Sequence, residues 1–193
     1  MAAKFDKIRE SITSMIPFTS DDWGSIQSII EIAEISKNDF FLKENSICDS
    51  VAFVESGLFV YYTTLSNGNE ITIDFAFAGD WITNIHSRLS ATPSHLNIKA
   101  IQKSKLFIIK YRDLEILYEK LPLFERFSRL LTERAYVKLA QHSIDLQTLS
   151  ATDRYLKLLQ RQPELVRQIQ VYHIANYLGV APKSLSRIRN NIF

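Results

Sequence analysis

Apolar residues recur at helical spacing in the first part of the chain, at strand spacing in its middle, and at helical spacing again to the end. Over residues 4–36, Phe5, Ile8, Ile12, Met15 and Ile16 share one face, which predicts helix throughout that stretch. Thr19 or Ser20 is placed to cap a second helix there, with Asp21 and Asp22 in its first turn. From Asp39 the period shortens. Runs rich in β-branched and aromatic residues (FFL, VAFVES, LFVYYTTL, EITIDFAF) alternate with polar or glycine-bearing turns. Asn67-Gly68 marks the tightest of these turns as a hairpin. Two further runs, Leu96–Ile101 and Lys105–Lys110, complete a set of about seven or eight short strands, the mark of a sandwich, jelly roll or barrel.

At Tyr111 the helical period returns. Arg112–Lys120 reads as a short helix stopped by Pro122, followed by a long one from about Leu123 to Leu149. Phe124, Phe127, Leu130, Leu131, Ala135, Val137, Leu139 and Ile144 read as a continuous apolar stripe on it. A stripe of that length is buried against a domain or against a second copy of the same helix. Phe124, Phe127, Leu131, Val137 and Ile144 are the expected dimer contacts. Ser150-Ala151-Thr152-Asp153 offers a new N-cap, so a boundary falls near 148–152, with no Gly/Ser-rich linker.

The final apolar pattern is the most specific. Val171, Ile174, Ala175 and Leu178 form one stripe, Gly179 suits a left-handed exit, and Pro182 suits the first turn of the next helix. Leu185 and Ile188 continue the buried face. Lys183, Ser184, Ser186, Arg187, Arg189 and Asn190 point away from it, with no carboxylate among them. This is the pattern of a helix-turn-helix whose second helix enters a DNA major groove.

Composition narrows the function classes. No run approaches the roughly 18 uninterrupted apolar residues of a membrane span. The single Cys48 rules out an internal disulfide, and a reducing cytoplasm is the expected compartment. The net charge of +2 divides unevenly, with +5 from Ser150 onward and −3 before it. A basic end on a slightly acidic body suits a phosphate-bearing partner. His86, His95, His142 and His173 have no metal-ligand spacing, and nothing resembles a nucleophile elbow, a phosphate-cradling loop or a paired-carboxylate site. Neither enzymatic activity nor a cofactor is therefore expected.

The order of strand block, long helix and helix-turn-helix resembles the Crp/Fnr family of bacterial transcription regulators. The phrases FVESGLFVYY…SNGNEITIDFAFAGDWI (Phe53 to Ile82) and IANYLGVAPKSLSRIR carry the resemblance, which extends over nearly the whole chain. It implies an α+β protein in three parts. Residues 1–110 would form a cyclic-nucleotide-binding-like jelly roll with N-terminal helices, 111–149 a short helix and a long dimerisation helix, and 150–193 the DNA-binding unit. Trp81, Asn84, His86, Arg88 and His95 would line the effector cavity, although Trp81 reads equally well as a core aromatic. The family's cyclic-nucleotide binders follow the Gly-Asp with Gly-Glu to hold ribose, and later place an Arg-Ser/Thr pair on the phosphate. Here Thr83-Asn84 follows Gly79-Asp80, and the later phrase Pro93-Ser94-His95 has no arginine. A cyclic phosphate would lack its bidentate cation, so the expected effector is an unidentified small molecule other than cyclic AMP. The family's β-hairpin wing is also expected to be absent, since the sequence stops at Phe193. Arg187 matches the late arginine of the family's recognition helix and is the expected base reader. The function implied is a homodimeric regulator that binds double-stranded DNA. The alternative is a ligand-sensing or protein-interaction module that has lost DNA binding.

Overall fold

A computed structural model describes residues 5–192. Two short helices come first, α1 (Asp6–Thr13) and α2 (Ser20–Ser28). Thr19 and Asp22 cap α2 reciprocally: the Thr19 hydroxyl accepts from the Asp22 N–H, and the Asp22 carboxylate accepts from the Thr19 N–H. The helical reading of residues 4–36 is corrected at its end, because Glu31–Ile35 is a strand, β1. Residue 4, where that reading began, lies outside the described residues.

The strands are β1, β2 (Phe40–Leu42), β3 (Ser50–Ser56), β4 (Leu58–Thr64), β5 (Glu70–Phe77), β6 (Trp81–Ile82), β7 (Asn97–Ala100) and β8 (Ser104–Lys110), with α3 (Ile85–Ser90) between β6 and β7. They form two four-stranded sheets, in the orders β1-β8-β3-β6 and β2-β7-β4-β5. The β1–β8, β8–β3, β3–β6 and β2–β7 pairs are antiparallel. The architecture is that of a jelly roll. Gly57, between β3 and β4, has φ +117°, and a Cβ there would lie 2.0 Å from the Ser104 hydroxyl, so only glycine fits this corner.

Successive residues of β3 point to opposite faces, and both faces are buried. Ala52 and Val54 join Leu42, Cys48, Phe59, Ile82, Ile98 and Leu106 inside the roll. Phe53 points the other way, into a second cluster built from Ile8, Ile12, Ile16, Ile26, Phe107, Leu114, Leu117, Phe124 and Phe127. That cluster holds α1, α2, α4 (Tyr111–Lys120) and the start of α5 (Pro122–Thr148) to the outer face of the first sheet.

The chain divides into two compact units. One comprises residues up to 61 together with 75–133, and the other residues 62–74 together with those from 134 on. The second unit contains the tip of the β4–β5 hairpin, the rest of α5, α6 (Ala151–Arg161), α7 (Pro163–Gln168), α8 (Val171–Tyr177) and α9 (Pro182–Ile192). Tyr155, Leu158, Leu165, Val166, Ile169, Ile174, Ala175, Leu178 and Leu185 are buried in it. Ser150 caps α6, its hydroxyl accepting from the Asp153 N–H. The Arg154 guanidinium donates to the carbonyls of Leu149 (2.6 Å) and Leu178 (3.0 Å), which closes the ends of α5 and α8 together.

The stripe expected along α5 is also corrected. Phe124 and Phe127 lie wholly inside the outer cluster of the first unit, so neither has surface left for a partner. Val137 and Ile144 are 65% and 52% exposed. At about 100° per residue, Val137 falls roughly 140° around the helix from Phe124, so the apolar positions do not share one face.

Candidate functional site

Two regions answer to the expected sites, one in each unit. In the jelly roll, the segment from β6 through α3 to β7 contains every residue expected to line an effector cavity. Asn84 is buried, and its side-chain oxygen caps α3 by accepting from the Ser87 N–H at 3.1 Å. Its amide nitrogen donates to the Ser94 hydroxyl at 2.7 Å. Ser94 in turn donates to the Leu96 carbonyl and accepts from the Leu96 N–H. Ser87, fully buried, accepts from the Cys48 N–H and donates to the Thr92 carbonyl. Cys48 is buried too, and its sulfur accepts from the Asn84 N–H. Each of these polar groups is thus engaged within the segment or with Cys48. Among the described residues, the buried side-chain oxygens without a partner are Glu55 Oε2 and Tyr155 Oη, and neither lies here.

The five expected cavity residues do not converge. Trp81 belongs to the outer cluster, with the rings of Phe53 and Phe127 edge-on at 5.4 and 5.5 Å and its indole N–H donated to Ser11. This is the core aromatic that Trp81 was also read as, and strand alternation explains it: in β6 it is Ile82 that enters the roll, which turns Trp81 outward. His86 and His95 are exposed, with ring centroids 5.3 Å apart. Arg88 lies over the Tyr111 ring at 4.1 Å and 3.6 Å from Glu115. It lines an open groove of about 640 Å³ with Cys48, Asp49, Lys110, Tyr111 and Arg112. Burial pushes the Tyr111 phenol up to about 12, so it stays neutral against Thr83.

The second region is the α8–α9 pair. Gly179 has φ +66°; its N–H reaches the Asn176 carbonyl and the Val180 N–H the Ala175 carbonyl, both at 2.9 Å, a left-handed helix exit of the Schellman type. Ile174, Ala175, Leu178 and Leu185 are buried between the helices and their neighbours. On α9, Lys183, Ser186, Arg187 and Asn190 are exposed at i, i+3, i+4 and i+7, which places them on one face. Ser184 and Arg189 are half-buried at its flanks. The Ser186 hydroxyl donates back to the Pro182 carbonyl at 3.1 Å. Beside the pair, His142 stacks on Tyr177 at 4.2 Å; burial lowers the imidazole and raises the phenol.

Residues 32–120 match the family described as the cyclic nucleotide-binding domain. The matched stretch runs from β1 to the end of α4. No curated protein matches the chain. Among solved structures, the chain is similar to FixK2 from Bradyrhizobium japonicum, with TM-score 0.71 and 19% identity over 85% of this chain and 84% of that one. It is also similar to a protein described as a Crp/Fnr-family transcriptional regulator from Eubacterium rectale, with TM-score 0.69 and 18% identity over 90% and 83% of the two chains. A third is the c-di-GMP responsive global regulator CLP of Xanthomonas campestris, with TM-score 0.67 and 12% identity over 90% and 91%. At these identities the likeness is one of fold. Among the described residues, no helix is long and apolar enough to cross a membrane, and no group of three or more His, Cys, Asp or Glu residues is placed to hold a metal ion.

Proposed function

We propose that the chain is a dimeric, cytoplasmic, non-enzymatic transcription regulator of the Crp/Fnr type that reads double-stranded DNA with α9. In this reading α8 and α9 form a helix-turn-helix, and residues 150–193 are the DNA-binding part. Residues 1–110 sense an effector, and 111–149 connect and dimerise. One observation carries the proposal: the exposed face of α9 presents Lys183, Ser186, Arg187 and Asn190, with no carboxylate on the helix. Such a face suits phosphate oxygens and guanine edges together. The dimer contact falls to the later half of α5, where Val137 and Ile144 lie seven positions apart on one line. Two copies would then present their α9 helices about one DNA turn, roughly 34 Å, apart. The effector is a small molecule other than cyclic AMP, because Asn84 and Ser94 hydrogen-bond each other where the resemblance would have them hold ribose and phosphate.

Binding-site selection on the parent, Arg187→Ala and Lys183→Ala tests the reading. Arg187→Ala relaxes the consensus at one position of each half-site, a loss of about 1–3 kcal/mol of discrimination. Lys183→Ala weakens all sequences alike and makes the salt dependence shallower. A parent that selects no sequence and binds no duplex at low salt would favour the interaction-module alternative instead.

A further inference from the structure

The tip of the β4–β5 hairpin belongs to the same compact unit as α8, and its contacts there are specific. The Glu70 carbonyl accepts two hydrogen bonds from α8, one from the Tyr172 hydroxyl at 2.5 Å and one from the Asn176 amide at 2.9 Å. Thr72, buried, meets His173 Nδ1 at 2.8 Å. The Asp74 carboxylate takes the Lys138 ammonium of α5 at 2.8 and 3.1 Å. Thr72 and Asp74 are two positions apart, so their side chains leave one face of β5, while Glu70 contributes through its backbone.

The groups held on α8 are the kind that DNA phosphates engage. The first helix of a helix-turn-helix crosses the DNA backbone, and Tyr and Asn side chains are common donors to phosphate oxygens. Here a peptide carbonyl occupies the Tyr172 and Asn176 donors. We propose that the hairpin tip stands in for a DNA phosphate, so that hairpin and DNA compete for the same donors on α8. The idea rests on the reading of α8 and α9 as a DNA-binding pair. Linkage then works in both directions: DNA releases the hairpin, and a loosened hairpin tightens DNA binding by the same factor. Because β4 and β5 run unbroken from the tip into the second sheet, a change in strand packing biases the same equilibrium, which gives an effector a route to α8.

The test uses the full chain and a mixed-sequence duplex at fixed low salt. Thr72→Val combined with Asp74→Asn removes hairpin contacts and leaves the donors on α8 in place. It is expected to bind about tenfold more tightly than the parent, within the usual range of such couplings. Tyr172→Phe combined with Asn176→Ala is expected to bind more weakly, since it removes the donors themselves. In the unsubstituted chain, the Glu70 carbonyl carbon resonance shifts as duplex is added. That resonance staying fixed while DNA binds would overturn the proposal whatever the variants do. Equal or weaker binding by the Thr72→Val and Asp74→Asn protein would mark the hairpin as a simple brace. If neither parent nor variants bind any duplex, the DNA-binding reading falls as well; binding without competition removes the hairpin proposal alone.

Discussion

Phe127 and Val137 sit on one unbroken helix, yet Phe127 is 1% exposed and Val137 65%. The first half of α5 completes the hydrophobic cluster of the jelly-roll unit, with Trp81, Phe124 and Phe127 packed ring to ring. The later half carries Tyr136, Val137, Leu139 and Ile144, each more than half exposed. One element thus does two jobs with one composition. Its first half lowers the free energy of a single chain by burying rings, whereas its second half keeps apolar surface in water. Apolar exposure of this kind is what the proposed dimer contact would cover.

Substitutions separate the halves, beginning with the largest effect. Phe127→Ala should cost about 3–5 kcal/mol of folding stability in chemical denaturation, as expected when a ring is removed from a packed core. A loss below about 1 kcal/mol would mean that the first half is not bonded into the core as described. Ser150→Ala removes the cap of α6 and should cost about 1 kcal/mol. Hydrogen exchange should place that loss in the second unit, with amides after residue 134 exchanging faster and those of 122–133 unchanged. Val137→Glu should change the stability of the single chain by no more than about 0.5 kcal/mol, as surface substitutions do. The same variant should sediment as a monomer where the parent sediments as a dimer. A dimeric Val137→Glu protein would move the interface away from this half of the helix.

The difference between the halves was not legible in the sequence. Counting apolar residues along α5 found them but did not fix their phase, and positions 124 and 137 point in different directions. β1 was missed for a related reason: Ile26, Ile29 or Ile30, and Ala33 satisfy helical spacing, whereas Glu31-Ile32-Ala33-Glu34-Ile35 alternates imperfectly. What settles that stretch is its ladder to β8, which pairs Glu31 with Ile108 and Ile35 with Ser104, far along the chain. The α8–α9 turn was legible because Gly179 and Pro182 have local physical requirements that few other residues meet. Asn67-Gly68 announced its hairpin in the same way. The Asn84–Ser94 bond depends on the path of the chain between β6 and β7, and no local pattern encodes that. Nor does any local signal announce that residues 62–74 pack with helices at the other end of the chain.

That last arrangement bears on how the protein is made. The Tyr172 hydroxyl that meets the Glu70 carbonyl lies 102 positions downstream of it. At ordinary synthesis rates of about 5–20 residues per second, the hairpin tip is polymerised roughly 5–20 s before its partner. The strands can close as a roll in that interval, but the second unit cannot. It is a discontinuous module, and its assembly waits until α8 has been made.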